Sequence, residues 1–314
     1  MQERFVGGSG LAVSRLGLGT ASWGRDTDEH EAADILRLFL EAGGTLIDTA
    51  ASYGAGASET LLGELLGEVR RDDVVLVSKA GSSIAPGRCG TSRGAMLSAL
   101  DHSLARLHVD HLDLWLVQGW DPRVPPEETL SALDHAVATG RTRYVGVANY
   151  TGWQTAYAHT RQALREASAP IVATEVEYSL LARQAEREVV PASVALGVGL
   201  LAWSPLGRGV LTGKYRFGIP ADSRAASDHL SGFVEPYLDA GCRQVVEAVC
   251  RAAEGLQLAP LEVALAWVRD RPAVASALVG PRTAAQLKAA LSVEEVSLPD
   301  EIVEALEDVS IETV

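Results

Sequence analysis

The sequence predicts an α/β chain closed into one (β/α)8 barrel over residues 1–314, with a β-hairpin before the first strand and a long loop after the seventh. Three observations predict it. Eight short apolar runs alternate with longer amphipathic stretches, the rhythm of parallel strands joined by helices, and eight is the number that closes a barrel. The runs are β-branched and apolar on both faces, as in Val74, Val75 and Val77 or Val145 and Val147, which suits strands buried on both sides. The length of 314 residues lies in the range of a single barrel domain.

The elements follow in order. Arg4–Val6 and Ala12–Val13 flank Gly7-Gly8-Ser9-Gly10 and read as a hairpin with a glycine turn. Strands are expected at Leu16–Leu18, Thr45–Asp48, Val74–Ser78, Leu112–Val117, Tyr144–Val147, Ile171–Val176, Gly199–Trp203 and Ala275–Val279. Helices are expected near 29–42, 58–70, 92–107, 127–139, 151–167, 184–196, 240–269 and 283–291. Ser204 to Asp239 breaks the alternation with several prolines and glycines. It leaves the C-terminal end of a barrel strand, where such barrels place their active sites, and loops of that length are usually functional.

Composition narrows the partners. A formal net charge of −14 repels phosphate backbones and anionic lipid, so neither nucleic acid nor a membrane surface is an expected partner. The three cysteines, Cys89, Cys242 and Cys250, are odd in number and unpaired in spacing, which argues against a disulfide framework and for the cytoplasm. No apolar leader precedes Gly10, and no apolar run is long enough to span a bilayer. The seven histidines form no metal-binding pair, and no metal is expected. Gly17 to Gly24 begins like a dinucleotide fingerprint, but its third glycine is misplaced and no helix opens there; Gly209 to Lys214 likewise misses the spacing of a phosphate-binding P-loop.

Chemistry gathers at the predicted strand ends. Asp48 ends the second strand and Tyr53 follows five residues on; Lys79 ends the third and Gln118 the fourth. In a closed barrel these ends converge on one mouth. A tyrosine hydroxyl titrates near ~10, and a nearby ammonium lowers that value. At ~4 Å and an effective dielectric of ~20 the attraction is roughly 4 kcal/mol before desolvation. Asp48 would hold the lysine charged. Tyr53 is then a general acid worth about 10²–10⁴-fold, in a site without metal or nucleophile, which suits carbonyl reduction by hydride from a cofactor. Trp23 and Trp120 follow the first and fourth strands and are expected to form an apolar substrate wall, with core packing the competing role.

At this point the chain resembles the aldo-keto reductase family, most closely the branch with bacterial reductases and potassium-channel β subunits. The similarity spans nearly the whole chain. It is carried by Leu11 to Thr20, by Ile47-Asp48-Thr49-Ala50-Ala51-Ser52-Tyr53-Gly54, by Tyr144 to Asn149, Glu177 to Leu181, Trp203 to Gly207 and Gly209 to Tyr215, and by Val279 to Thr283 with Gln286. The resemblance implies Asp48, Tyr53, Lys79 and Gln118 as the catalytic set. It implies a cofactor site in which Asn149 and Glu175 hold the nicotinamide carboxamide, Trp203, Ser204, Pro205 and Leu206 line ribose and pyrophosphate, and Lys214 reaches a phosphate. Arg224 and Arg282 would grip an adenosine 2′-phosphate, hence NADP(H); a guanidinium fork fits that group. Thr20, Ala21, Asp48, Gly209, Gly280 and Gln286 complete the implied cofactor site.

Four positions depart from the family pattern. Gln118 replaces the usual histidine; it can donate a hydrogen bond but cannot change charge near neutrality. Ala148 replaces a serine, Glu175 a glutamine, and Ala289 and Ala290 a Glu-Asn pair. A carboxylate at 175 would favour the oxidised, positively charged nicotinamide. The expected function is hydride transfer between NADP(H) and a small carbonyl or alcohol. The alternatives are a nucleotide-binding sensor or accessory protein with little turnover, and a non-redox, elimination-type enzyme on the same barrel. Sequence leaves the substrate, the reaction direction and the oligomeric state open.

Overall fold

A computed structural model describes residues 1–82 and 90–311. Eight parallel strands close into a barrel: β3 (Leu16–Gly19), β4 (Leu46–Asp48), β5 (Val75–Ala80), β6 (Leu112–Val117), β7 (Thr142–Ala148), β8 (Ile171–Glu177), β9 (Gly199–Trp203) and β10 (Val274–Val279). Each pairs with its chain neighbours and β10 returns to β3, so no edge is left. Ahead of them β1 (Glu3–Phe5) and β2 (Ala12–Ser14) form the antiparallel hairpin.

Two apolar layers hold the barrel. The outer layer lies between strands and helices, from Leu16, Ile35 and Phe39 round to Trp115, Trp267 and Leu287. The inner layer fills the barrel and is shut at its N-terminal end by the hairpin: Val6, Leu11 and Val13 join Leu46, Val77, Leu114 and Leu201. The hairpin turn is pinned by Gly8 N–H donating to Gly197 O at 2.7 Å. Gly7 has φ +56°, and a Cβ there would lie 2.1 Å from Gly197 O, so a side chain is excluded.

The helices start where local chemistry favours it. Asp28, Thr151 and Asp239 cap Glu29–Glu41, Gly152–Ala163 and Ala240–Leu256 by accepting from backbone N–H groups of the first turn. Three expectations change. The stretch 240–269 is two helices, Ala240–Leu256 and Pro260–Arg269, because Gln257 turns left-handed (φ +59°) and Pro260 starts a new helix at its first position. The irregular stretch after β9 contains short turns of helix, at Gly207–Thr212, Arg224–Ala226, Ser231–Val234 and Glu235–Tyr237. A last helix, Asp300–Ser310, was not expected; Pro299, Asp300 and Glu301 ahead of Ile302, Val303 and Leu306 are its overlooked start signal. Cys242 and Cys250 are buried and unbridged, and Cys89 lies outside the described residues. Among the described residues no helix is long and apolar enough to cross a membrane.

Candidate active site

The C-terminal ends of the strands open into a cleft of about 700 Å³. Asp48 and Lys79 arrive on adjacent strands, β4 and β5. Beyond β4 the chain stays tied to β5, with Thr49 N–H donating to Val77 O (2.9 Å) and Ala51 N–H to Lys79 O (3.1 Å). It then turns tightly, Tyr53 N–H to Ala50 O at 3.0 Å. This returns the Tyr53 ring to the mouth, its centroid 5.3 Å from Lys79 Nζ. Lys79 donates a hydrogen bond to Asp48 Oδ2. The cleft wall includes all three, with Gln118, Asn149 and Glu175.

The electrostatics differ from the sequence expectation in one respect. Lys79 ionises above the ordinary lysine value: burial pulls it down, but the Asp48 and Glu175 carboxylates outweigh that. Tyr53 was expected to titrate lower, and instead is held above its usual value. Burial dominates; Lys79 opposes it, and Asp48 and Glu175 cancel part of the lysine's help. Burial also raises Asp48 against the pull of Lys79. Tyr53 therefore stays a neutral hydrogen-bond donor in the free protein, and the added element is Glu175. Its carboxyl lies 3.1 Å from Lys79 Nζ, and burial, then Asp48, push it up to about 8.

Around this group neutral side chains lock one another. Gln118 Nε2 donates to Ser52 Oγ at 2.9 Å, and that hydroxyl lies 3.1 Å from Gln118 Oε1. Asn149, at φ +57°, donates through Nδ2 to Gln118 O (2.9 Å) and accepts from Trp203 Nε1 (3.0 Å). Ser204 follows at φ +52°, so strand ends β7 and β9 both turn left-handed at the cleft.

The other end of the cleft is cationic. Lys214, Arg224 and Arg282 line it without a direct ion pair among the described residues; Asp26, on the same wall, acts on Arg224 from a distance and is paired with Arg25 and His229. Arg224 donates to Gly280 O (2.9 Å) and Arg282 to Asp222 O (2.6 Å), while Gln286 Oε1 accepts from Arg282 N–H (2.9 Å). Lys214 is lowered by desolvation and by repulsion from Arg224 and Arg282, with Tyr215 opposing; Arg224 is lowered by burial and by Arg282. Gly209, at φ +93°, leaves room for the lysine, since a Cβ there would lie 3.2 Å from Lys214 Nζ. Ala289 and Ala290 lie on the wall nearby. The cleft thus offers space, a cluster of cations without direct ion pairs and a proton donor, a fit for a nicotinamide dinucleotide.

Of the expected site residues, Ala21, Trp203, Ser204, Pro205, Leu206, Gly209 and Gly280 also lie on the wall. Thr20 does not; it is buried, donates to Asp48 O (3.0 Å) and accepts from Ser58 (2.8 Å), holding β3 to β4. Trp23 is a correction. Its loop folds back through Trp23 N–H to Thr20 O (3.0 Å), which puts the indole wholly in the outer core rather than on a substrate wall. Trp120 is also off the cleft wall; it packs edge-on against Tyr150, Trp153 and Tyr157.

Sequence reasoning missed Arg208 and Ser52. Arg208 forms a bidentate pair with Glu177 (2.8 and 2.7 Å) and stacks 3.9 Å from the Phe233 ring centroid, fastening Ser231–Val234 over the cleft. Its place between Gly207 and Gly209 was the available signal.

The aldo/keto reductase family model matches residues 15–311. An uncharacterized oxidoreductase of Bacillus subtilis, YrpG, is 35% identical over 98% of this chain and 96% of its own length. The L-glyceraldehyde 3-phosphate reductase of Escherichia coli is 33% identical over 92% of this chain and 86% of its own. A probable voltage-gated potassium channel subunit beta of Arabidopsis thaliana is 32% identical, covering 92% and 89%.

Proposed function

Because the chain belongs to the aldo/keto reductase family and is an oxidoreductase, we propose that it uses NADP(H) to interconvert a small carbonyl compound and its alcohol, with Tyr53 as proton donor. The reduced nicotinamide would supply the hydride. The observation that carries the reading is the pairing, in one cleft, of Tyr53, Lys79 and Asp48 with the unneutralised cations Lys214, Arg224 and Arg282.

The residues divide the work. Arg224 and Arg282 would present guanidinium forks to an adenosine 2′-phosphate, and Lys214 a point charge to a second phosphate. Asn149 and Glu175 would hold the nicotinamide carboxamide, and Trp203 would line the ribose. Lys79, charged and anchored by Asp48, stabilises negative charge as it develops on the tyrosine oxygen, so the hydroxyl that is neutral at rest gives up its proton to an alkoxide. Gln118, oriented by Ser52, offers an amide N–H to the carbonyl oxygen where the family usually places a histidine. The unbridged buried cysteines suit a reducing compartment, and we place the protein in the cytoplasm.

The test is a titration of NADPH and NADH against intrinsic tryptophan fluorescence, followed by turnover on a panel of aldehydes, ketones and alcohols. Tight NADPH binding well ahead of NADH, with NADPH oxidation on some member of the panel, is the expected result. Binding without turnover would replace the enzyme reading by that of a nucleotide sensor. Binding of neither would remove the cofactor reading.

A further inference from the structure

The charges around the Lys79 ammonium do not balance. One cation faces two carboxyl groups, Asp48 and Glu175, and each of the three side chains is only 3% exposed. Asp48 takes the lysine's hydrogen bond. Glu175 Oε2 stands 3.1 Å from the same nitrogen, its carboxyl also meets that of Asp48, and the residue lines the cleft. The ionisable groups facing it are Asp48 at the end of β4, Tyr53 in the turn beyond, and Lys79 on β5; Asn149 on the β7 side and Trp203 on β9 carry no charge. Arg208 is committed to Glu177. A second buried negative charge beside Asp48 is costly, so Glu175 holds a proton until a further positive charge enters the cleft.

We propose that Glu175 makes this site respond to the redox state of its nucleotide, keeping its proton beside the neutral reduced nicotinamide and releasing it when the positively charged oxidised ring binds. The inference rests on the cofactor reading above. Its balance is simple: one carboxylic acid becomes a carboxylate and one proton passes to solvent, with no electron transferred. The sign follows from the free protein, where Glu175 keeps its proton up to about pH 8. Below that pH the oxidised nucleotide must displace the proton. Its affinity therefore rises with pH, by at most about tenfold per unit, and levels off above the free-protein value. The affinity of the reduced nucleotide lacks this dependence, so selectivity for the oxidised form grows as pH rises.

Calorimetric titration of the intact protein with NADP⁺ and with NADPH, near neutral pH in buffers of different ionisation enthalpy, counts the protons. The nucleotide's own phosphate contributes to both, so the difference isolates the protein. Approaching one more proton should be released with NADP⁺ than with NADPH, and infrared difference spectra of NADP⁺ binding should lose a carboxylic C=O band. Glu175→Gln keeps the shape, and should bind both nucleotides with equal proton counts, a pH-independent affinity ratio and no such band. Equal counts in the unmodified protein, or an undiminished difference in Glu175→Gln, would overturn the inference while leaving the cofactor reading intact. If neither nucleotide binds, the cofactor reading fails and takes the inference with it.

Discussion

At the inner end of the cleft one ammonium, Lys79, is wedged between Asp48 and Glu175; at the outer end Lys214, Arg224 and Arg282 repel one another, with only the more distant Asp26 among the described residues opposing them. The inner end is over-supplied with negative charge and buried, and its groups shift one another's protonation. The outer end is over-supplied with positive charge and holds its cations with backbone carbonyls, at Gly280 and Asp222. Burial and mutual repulsion both work against these cations, and an anion bound among them would relieve that cost. On the proposed function the outer end would supply affinity for the nucleotide's phosphates, and the inner end would supply the proton and tune the response to the nicotinamide's charge.

The largest expected effect isolates chemistry. Tyr53→Phe should cut turnover by about 10²–10⁴-fold while NADPH affinity stays unchanged, as read by steady-state kinetics beside a fluorescence titration. Turnover that survived would remove Tyr53 as proton donor. Next, Lys79→Met strips from two buried carboxyl groups the cation they share and should cost about 3–5 kcal/mol in urea unfolding; adding Asp48→Asn should recover part of the loss. No recovery would mean that the two groups are not energetically paired. At the outer end, Arg282→Ala should weaken NADPH by about 10–100-fold, the value of one lost charge-assisted contact, and leave NADH binding and the rate at saturating cofactor alone. Equal losses for both nucleotides would show that Arg282 does not read the 2′-phosphate. The smallest effect is expected for Trp120→Ala, within about threefold in KM, because the indole packs on Tyr150, Trp153 and Tyr157 outside the cleft wall; a large rise in KM would return it to the substrate site.

Much of the site was legible because strand ends of a barrel are fixed by period and topology. Asp48, Lys79 and Gln118 each end a recognisable apolar run, so their meeting followed from closure alone. Arg224 was harder, since it lies in an irregular stretch where no periodicity operates, and only its likeness to a family loop singled it out. Ser52 and Arg208 were not legible: one acts through Gln118 and the other through Glu177, partners distant in sequence. Asp300–Ser310 carries only a weak local start signal, Pro299 and the acidic first turn of Asp300 and Glu301.

The amino-acid sequence by itself determined the closed barrel, the hairpin ahead of it and the set of side chains delivered to its mouth, because these depend on local period, turn chemistry and strand count. Only the tertiary structure decided which of those side chains reach the cleft and in what charge state. Trp23 went to the core because its loop folds back on itself, and Tyr53 stays neutral because burial outweighs the pull of Lys79. Glu175 became a second claimant on that lysine because β8 brings it to the same buried ammonium as Asp48. Burial and distance between residues far apart in the chain set these outcomes, and neither is written in any local pattern.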